Sequence, residues 1–459
     1  MTNSVAKSMS AKQKFLWLIC LVVPVITYFL LEKFGTQIQF FMAITVFAIL
    51  LMATEVVENF VPALMLPIAY ILFDVVPAEI AFSGYTASTP WIFVGVFLLV
   101  GTLNRIGLLN RIAYRILIWT GGTYKGILIG LWLASFVLNF LLSGNAVIPI
   151  LFLAYGVCLA LNLKGTKTGV GICFASCAVG CGTAAAFYSP TSLGFVSYVI
   201  GRPLDITYFS YSVQNMAFLL VPTLVCIAVY FLYHDKTNVL KGKEYFAEEL
   251  KKLGDITTEE KKVLLVLICI VIYMMTNPWH KLGMEWGFPL AAAILFLPGI
   301  NVANKEDIAS IPLHMILFVG ACLCIGNVAV NLGIGQILAA ILMPVIANLG
   351  GTAFVAITFV LTAIMNLLLT PFALMAVLPL PLATMADQLN INVLPVIYSM
   401  LQGLDAVFLP HESGTWLIAY SFGMMSMKDF VKLSVVKVFI TFAVLLFVAV
   451  PVWKVLGLL

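Results

Sequence analysis

Three ionisable residues, Asp405, His411 and Glu412, lie within a segment that is otherwise apolar enough to cross a membrane. A charged side chain near the bilayer centre costs about 2.5–3.5 kcal/mol on insertion scales, and residues that bear this cost usually have a function. A carboxyl group beside an imidazole is able to exchange a proton near neutral pH. We therefore predict that Glu412 exchanges a proton, with His411 or Asp405 as its partner. The structural alternative is a Glu412 carboxyl that binds backbone groups where a helix breaks.

The composition defines the environment of these residues. Of the 459 residues, 63% are hydrophobic and 10% are charged, whereas soluble domains carry about 25% charged residues. The sequence therefore predicts an all-α polytopic membrane protein. The polar start leads into the apolar run 15–31 without a small-residue cleavage site, so we expect a retained span here.

The nine cysteines are scattered, which argues against a disulfide framework. Cys173, Cys177 and Cys181 fall at i, i+4 and i+8, on one helix face. The small residues around them favour close helix packing over a metal site. We predict no metal, no organic cofactor and no nucleic-acid partner.

Apolar runs of about 20 residues predict membrane spans. These runs lie near 15–31, 38–58, 60–76, 90–105, 169–200, 213–232, 263–277, 285–300, 311–330, 392–420 and 434–456. Two further apolar segments, 125–163 and 352–388, are interrupted by glycine, proline and polar residues. We predict these two segments as re-entrant hairpins beside about eleven transmembrane helices.

The distribution of basic residues supports this layout with a cytoplasmic N-terminus and an extracytoplasmic C-terminus. Lysines and arginines then concentrate on the cytoplasmic side, Lys437 among them, and the exceptions are Lys33, Arg202, Lys281 and Lys454. Arg105, Arg111 and Arg115 are predicted to lie on an amphipathic cytoplasmic helix that rests on anionic lipid.

The two halves of the chain resemble one another. The sequence GTLNRIGLLNRIAYRIL (101–117) resembles GNVAVNLGIGQILAAIL (326–342), and NFLLSGNAVIPIL (139–151) resembles NLLLTPFALMAVL (366–378). Each half continues into a span broken by polar residues, at 180–196 and at 408–423. Inverted repeats with broken helices in matching positions are typical of secondary transporters and mark their binding site.

The breaks themselves predict what would bind there. The N-terminus of a half-helix presents unpaired N–H groups that attract anions, and its C-terminus presents carbonyls that attract cations. The domains follow from the repeat: spans one to three (1–89), the first repeat (90–232), a charged cytoplasmic linker (233–262), spans seven and eight (263–310) and the second repeat (311–459).

Much of the chain, from about residue 40 to 456, resembles the divalent anion/sodium symporter (DASS) family. The resemblance rests on ATEVVENFVPALMLPIAYILFDVVPAEIAFSGYTASTPWIFVGVFLLVGTLNRIGLLNRIAYRIL (53–117), LFVGACLCIGNVAVNLGIGQILA (317–339) and MMSMKDFVKLSVVKV (424–438). It implies two hairpins with Ser-Asn-Thr tips, two facing helix breaks, a carboxylate or sulfate substrate, sodium ions, a homodimer and an elevator movement. This sequence departs from the family motifs at all four places, most of all at the second break.

Carried onto this sequence, the resemblance implies two sets of site residues. The substrate set is Ser143, Gly144, Asn145, Ser189, Pro190, Thr191, Thr370, Pro371, Ser413, Gly414 and Thr415. The ion set is Ser143, Asn145, Gly182, Thr183 and Thr370.

We expect a secondary active transporter of small organic anions in the cell membrane, coupled to Na⁺ or H⁺ or working by exchange. The alternative is a proton-coupled carrier of a zwitterion or an inorganic anion that uses Glu412 and His411 without sodium. The sequence contains neither His-x-x-x-His nor Gly-x-Ser-x-Gly, so an enzyme is not expected. A channel would not need the inverted repeat.

Overall fold

The computed structural model describes residues 11–54, 56–58, 60–234, 242–283, 286–334, 337, 350–367, 369 and 371–459. All regular structure within these ranges is helical, as the sequence predicts. The first helices are α1 (Ala11–Leu30), α2 (Thr36–Thr54), α3 (Phe60–Leu72), α4 (Ala78–Ala81), α5 (Ser83–Thr86), α6 (Ser88–Arg105), α7 (Leu108–Trp119), α8 (Tyr124–Leu141), α9 (Val147–Ala160), α10 (Lys167–Ala184), α11 (Pro190–Ile200), α12 (Tyr208–Asn215) and α13 (Leu220–Tyr233).

The second half begins with the charged helix of the predicted linker. Its helices are α14 (Gly242–Lys252), α15 (Thr258–Met275), α16 (Asn277–His280), α17 (Gly287–Ile294), α18 (Lys305–Ala309), α19 (Leu313–Asn331), α20 (Gly351–Asn366), α21 (Pro371–Val377), α22 (Pro379–Gln388), α23 (Val393–Leu404), α24 (Gly414–Ser421), α25 (Met427–Val444) and α26 (Val450–Val455). A 3₁₀ turn, Pro410–Glu412, precedes α24.

Several predicted spans are interrupted helices. Within the described ranges, four helical stretches are long and apolar enough to cross a membrane, and the pair α6–α7, bent by 63°, would be a fifth. The four are Tyr124–Leu141, Tyr208–Tyr233, Leu313–Asn331 and Met427–Val455. Other apolar helices, including α11 and α23, have 10–17 residues. Because proline lacks an N–H and fits the first helical position, Pro190 and Pro371 begin new helices where a span is interrupted.

The two halves use one packing scheme. Helix α8 packs along α10, and α20 packs in the same way along α23. Asn139 on α8 donates to the carbonyl of Gly180 on α10 over 3.0 Å. Asn366 on α20 donates to the carbonyl of Leu404 on α23 over 3.2 Å. Asn139 and Asn366 are equivalent in the sequence repeat. The two repeats therefore contain equivalent hydrogen bonds between equivalent helices.

Arg105 on α6 and Arg111 on α7 bind protein groups. The prediction that these side chains rest on anionic lipid is therefore wrong for both. Arg105 donates to both carboxylate oxygens of Asp307, each over 2.9 Å. Arg111 is buried and donates over 2.7 Å to Glu260 and over 2.7 Å to the carbonyl of Gly254. A buried guanidinium must be paired, and the linker and α15 supply its partners, while Arg115 stays exposed.

Candidate functional site

The tip between α8 and α9 lies against the first helix break. Ser143 and Gly144 form the turn with φ angles of 45° and 81°, in the left-handed region that favours glycine. A Cβ added to Gly144 would stand 3.5 Å from the carbonyl oxygen of Ala184 and 3.8 Å from the Cβ of Ser189. The first tip and the first break, predicted as parts of one site, are therefore neighbours.

Hydrogen bonds of the buried Asn139 side-chain amide hold the first tip. The Asn139 side chain accepts from the N–H of Ala146 over 2.9 Å and donates to Thr183 Oγ1 over 2.8 Å. Thr183 also bonds Ser135 over 2.8 Å. The hydroxyl of Thr183, a predicted ion ligand, thus joins α8 to α10.

The other predicted ion ligands of the first half have varied surroundings. Ser143 is buried, and its hydroxyl is 3.0 Å from the sulfur of Met274 on α15. Asn145 donates from Nδ2 to the carbonyls of Leu142 and Ser143, over 2.9 and 3.1 Å. Gly182 packs closely on Pro222. A Cβ added to Gly182 would stand 2.8 Å from the proline ring.

The N-terminus of α11 is capped by its own residues. Ser189 accepts from the N–H of Ser192 over 3.4 Å, and its hydroxyl is 2.8 Å from that of Thr191. Pro190 occupies the first helical position. The N-terminus of α24 differs, since Ser413 occupies the cap position without a side-chain cap bond. A Cβ on Gly414 would meet no atom within 4 Å, so this helix end borders open space at Gly414. The next residue, Thr415, is half-buried.

The second tip reaches the first half through an aromatic cluster. Pro371 begins α21, and Thr370 lies outside the described residues. Phe372 packs on Phe93, Phe195 and Phe318, with ring centroids 5.9, 6.4 and 6.0 Å away. These partners lie on α6, α11 and α19. The second tip therefore contacts α11, the helix that follows the first break.

The side chain of Glu412 binds backbone groups of the second break, in which the residue itself lies. Its carboxylate accepts from the N–H of Phe408 over 3.0 Å and from the N–H of Leu409 over 2.7 Å. The residue is 2% exposed. This geometry is that of the structural alternative, in which the carboxyl satisfies backbone donors where the helix breaks. The side chain of His411 lies outside the described residues.

Asp405 belongs to a different cluster, which the sequence did not predict. It follows the last residue of α23, and its carboxylate accepts from Lys437 Nζ over 2.7 Å. Trp416 Nε1 approaches the same carboxylate to 3.4 Å, and Lys437 Nζ stands 5.3 Å from the centroid of the Trp416 ring. Asp405 is one of the two predicted partners of Glu412, and in the structure its carboxylate binds Lys437.

Lys437, predicted to lie on the cytoplasmic side, is a buried residue within a helix. Its side chain is 1% exposed, and it lies ten residues after Met427, the first residue of α25. At 1.5 Å per residue, that is about 15 Å along the helix from its first residue, within the predicted apolar run 434–456. The sequence signal for this burial was the position of Lys437 inside the apolar run 434–456. The count of basic residues assigned Lys437 to the cytoplasmic side.

The chain is similar to known membrane transporters. Residues 49–403 match the family model described as citrate transporter (CitMHS). The solved structure of the YdaH transporter from Alcanivorax borkumensis, described as having an unusual topology, matches with a TM-score of 0.53 and 14% identity over 82% of this chain and 87% of that one. Comparison with curated protein sequences gives no significant match.

These matches confirm the predicted class, an all-α polytopic membrane protein with a transporter fold. At 14% identity, the match to the solved structure shows the fold alone. The family match ends at residue 403, before Asp405, Glu412 and Lys437. The second break therefore lies outside the matched residues.

Proposed function

The chain belongs to the citrate transporter family, and from this premise we propose that it carries a small di- or tricarboxylate across the membrane, with citrate as the first candidate. The likeness to the DASS family agrees with this substrate class. The proposal treats the protein as a secondary active transporter in the cell membrane. Its substrate lies between the two hairpin tips and the two helix breaks.

One observation carries the proposal. Helix α24 begins at a break in a membrane segment, and its N-terminus has no side-chain cap and borders open space at Gly414. Unpaired N–H groups at the positive end of a helix dipole attract carboxylates. The hydroxyl of Ser413 stands at the same end. A carboxylate substrate offers the acceptors that these donors lack.

The first half supplies the second part of the proposed site. Gly144 brings the first tip against Ser189, and the hydroxyls of Ser189 and Thr191 lie next to each other. A di- or tricarboxylate has two or more charged ends, so one end binds at α24 and another at these hydroxyls. A substrate with a single carboxylate would use only one of the two groups.

We propose that a cation, Na⁺ or H⁺, drives this carrier. For Na⁺, the Oδ1 of Asn145 and the carbonyls near Gly182 are the proposed ligands, because the hydroxyls of Ser143 and Thr183 and the Nδ2 of Asn145 bond other protein groups. For H⁺, Glu412 is the proposed carrier, because it is a buried carboxyl beside the start of α24. His411 neighbours it in sequence.

The proposal extends to a homodimer that works by an elevator movement, in which the repeats move past α1–α3. A cavity of about 240 Å³ separates α2 from the second hairpin. Phe41, Met42 and Thr45 line one side, and Val377 and Leu380 line the other. An apolar boundary of this kind supports sliding, because few directed bonds have to break.

Uptake into proteoliposomes tests the proposal. Radiolabelled citrate and succinate are offered under an inward Na⁺ gradient, an inward H⁺ gradient or neither, with glycine and sulfate as competitors. We expect saturable citrate uptake that one of the two gradients accelerates. Uptake blocked by glycine or sulfate but not by unlabelled citrate would favour the alternative carrier of a zwitterion or an inorganic anion.

A further inference from the structure

The C-termini of the two broken half-helices are satisfied in different ways. Ala185 follows α10, and its carbonyl accepts from the phenol of Tyr211 on α12 over 3.2 Å. Asp405 follows α23, and its carbonyl accepts from the ammonium of Lys437 on α25. In both halves the donor comes from the second helix after the break, α12 or α25. The first half uses a neutral donor and the second a charged one.

The end of α23 has the properties of a cation site. The last carbonyls of a helix lack hydrogen-bond partners within it and carry the negative end of its dipole. The carboxylate of Asp405 adds a full negative charge at that end, 26% exposed on its side chain. Carbonyl and carboxylate oxygens are the ligands that hard cations prefer. Without a positive charge, this end of α23 would be an anionic site.

Lys437 fills that site from within the protein. Its ammonium binds both kinds of oxygen, the backbone carbonyl and the side-chain carboxylate of Asp405. The face of the Trp416 indole adds a favourable interaction at 5.3 Å. The ammonium therefore makes the contacts that a bound cation would make, while remaining covalently attached to α25.

We propose that Lys437 is a tethered cation, which occupies a cation site at the end of α23 and makes the second half of the repeat independent of a dissolved ion. A Na⁺ that drives transport would then bind in the first half alone, where the described side chain that donates to the carbonyl after α10 is the neutral Tyr211. The inference rests on the proposed function for its meaning in transport. The occupancy of the site by Lys437 is testable without transport.

The test is a salt titration of thermal unfolding in detergent. Lys437→Ala removes the ammonium and leaves the Asp405 carboxylate without its cation, while the Asp405 carbonyl keeps the N–H of Val407 as a donor over 3.0 Å. We expect NaCl to raise its unfolding midpoint relative to choline chloride at equal ionic strength, because an ion that binds the native state stabilises it by mass action. The rise should exceed that of the wild type, and Asp405→Asn/Lys437→Ala should lose the excess.

The matched control is Lys432→Ala, on the same helix, where Nζ stands 5.6 Å from the Tyr233 ring centroid. It should respond to NaCl as the wild type does. A Lys437→Ala protein whose response equals that of Lys432→Ala would overturn the inference. If Lys437→Ala does not fold, the double variant should fold because neither charge is left unpaired, and its failure to fold would also count against the tethered cation.

The two proposals fail in different experiments. A wild-type protein that carries no carboxylate would contradict the proposed function and leave the Na⁺ response of Lys437→Ala unchanged. A Lys437→Ala protein without a Na⁺ response would contradict the tethered cation and leave citrate uptake by the wild type unchanged.

Discussion

At the residue scale, the second break separates two carboxyl groups that lie close in sequence. Asp405 binds the ammonium of Lys437, whereas Glu412 binds the backbone N–H groups of Phe408 and Leu409. A buried ionised group is costly unless it is paired or hydrogen-bonded, and the two residues meet this requirement by different means. Substitutions at them should therefore have different consequences.

Glu412→Gln tests the coupling role of this carboxyl. The amide keeps one acceptor oxygen, so one of the two backbone bonds is lost and we expect a destabilisation of about 1–3 kcal/mol. H⁺-driven uptake should disappear while citrate exchange continues, because the amide cannot carry the proton. Asp429→Asn, at the start of α25, is the control and should keep H⁺-driven uptake. Accumulation by Glu412→Gln under a pH gradient would show that another group carries the proton.

Gly414→Val tests the open space at the start of α24. A Cβ there meets no atom within 4 Å, so we expect a nearly unchanged unfolding midpoint. Citrate uptake should fall at least about tenfold, the equivalent of about 1.4 kcal/mol of lost binding, because the added side chain occupies the proposed substrate position. A Cβ added to Gly156 on α9 also meets no atom within 4 Å, so Gly156→Val is the control and should keep uptake. Normal uptake by Gly414→Val would place the substrate elsewhere.

At the element scale, the equivalent asparagines of the two repeats join equivalent pairs of helices. Among the described residues, however, they make unequal numbers of hydrogen bonds. Asn139 bonds Gly180, Thr183, Ser135 and Ala146. Asn366 donates to the carbonyl of Leu404. The first tip is therefore held more firmly than the second within the described residues.

Comparing Asn139→Ala with Asn366→Ala tests that difference. Each buried polar group left without a partner costs about 1–3 kcal/mol, and Asn139→Ala leaves more of them than Asn366→Ala. We expect the unfolding midpoint in detergent to fall further for Asn139→Ala. Equal losses would mean that water replaces the missing bonds in the first half.

The bond between Arg111 and Glu260 gives the contact of α7 with the linker a pH dependence. Burial raises the pKa of Glu260, but hydrogen bonds from Arg111 and Thr257 outweigh it, so this pKa lies below its ordinary value. Because the folded pKa is depressed, the stabilisation is present above the pKa of the unfolded state. It is lost as the pH falls through the folded pKa.

Glu260→Gln should remove that contribution. Breaking a buried ion pair costs about 3–5 kcal/mol, so the unfolding midpoint at pH 7 should be lower than in the wild type. Between pH 7 and the acid range the variant should lose less stability than the wild type, since it has no carboxyl to protonate at this site. Parallel pH profiles for the two proteins would contradict this assignment.

At the scale of the whole molecule, the proposed elevator requires the second hairpin to move past α2. Met42 and Leu380 line the same apolar cavity from opposite sides. A bifunctional thiol reagent that joins Met42→Cys to Leu380→Cys should abolish citrate uptake and leave binding intact. Thr54→Cys, whose native hydroxyl is 3.5 Å from Cys20 on α1, should cross-link within the fixed part and leave uptake unchanged. Full uptake with α2 joined to the second hairpin would exclude the elevator.

The sequence alone determined the class of the protein, because apolar runs, charge depletion and the internal repeat are properties of the chain that need no contacts. It also located the helix interruptions after α8, α10 and α23, since glycine, proline and polar residues inside apolar segments signal an interrupted helix wherever they occur. Only the tertiary structure decided how the charged residues pair. Lys437 lies 32 residues from Asp405, and Arg111 lies 149 residues from Glu260. Local patterns carry no information about such distant partners. A buried charge is stabilised by whichever opposite charge the fold brings within bonding distance, so its role follows from packing.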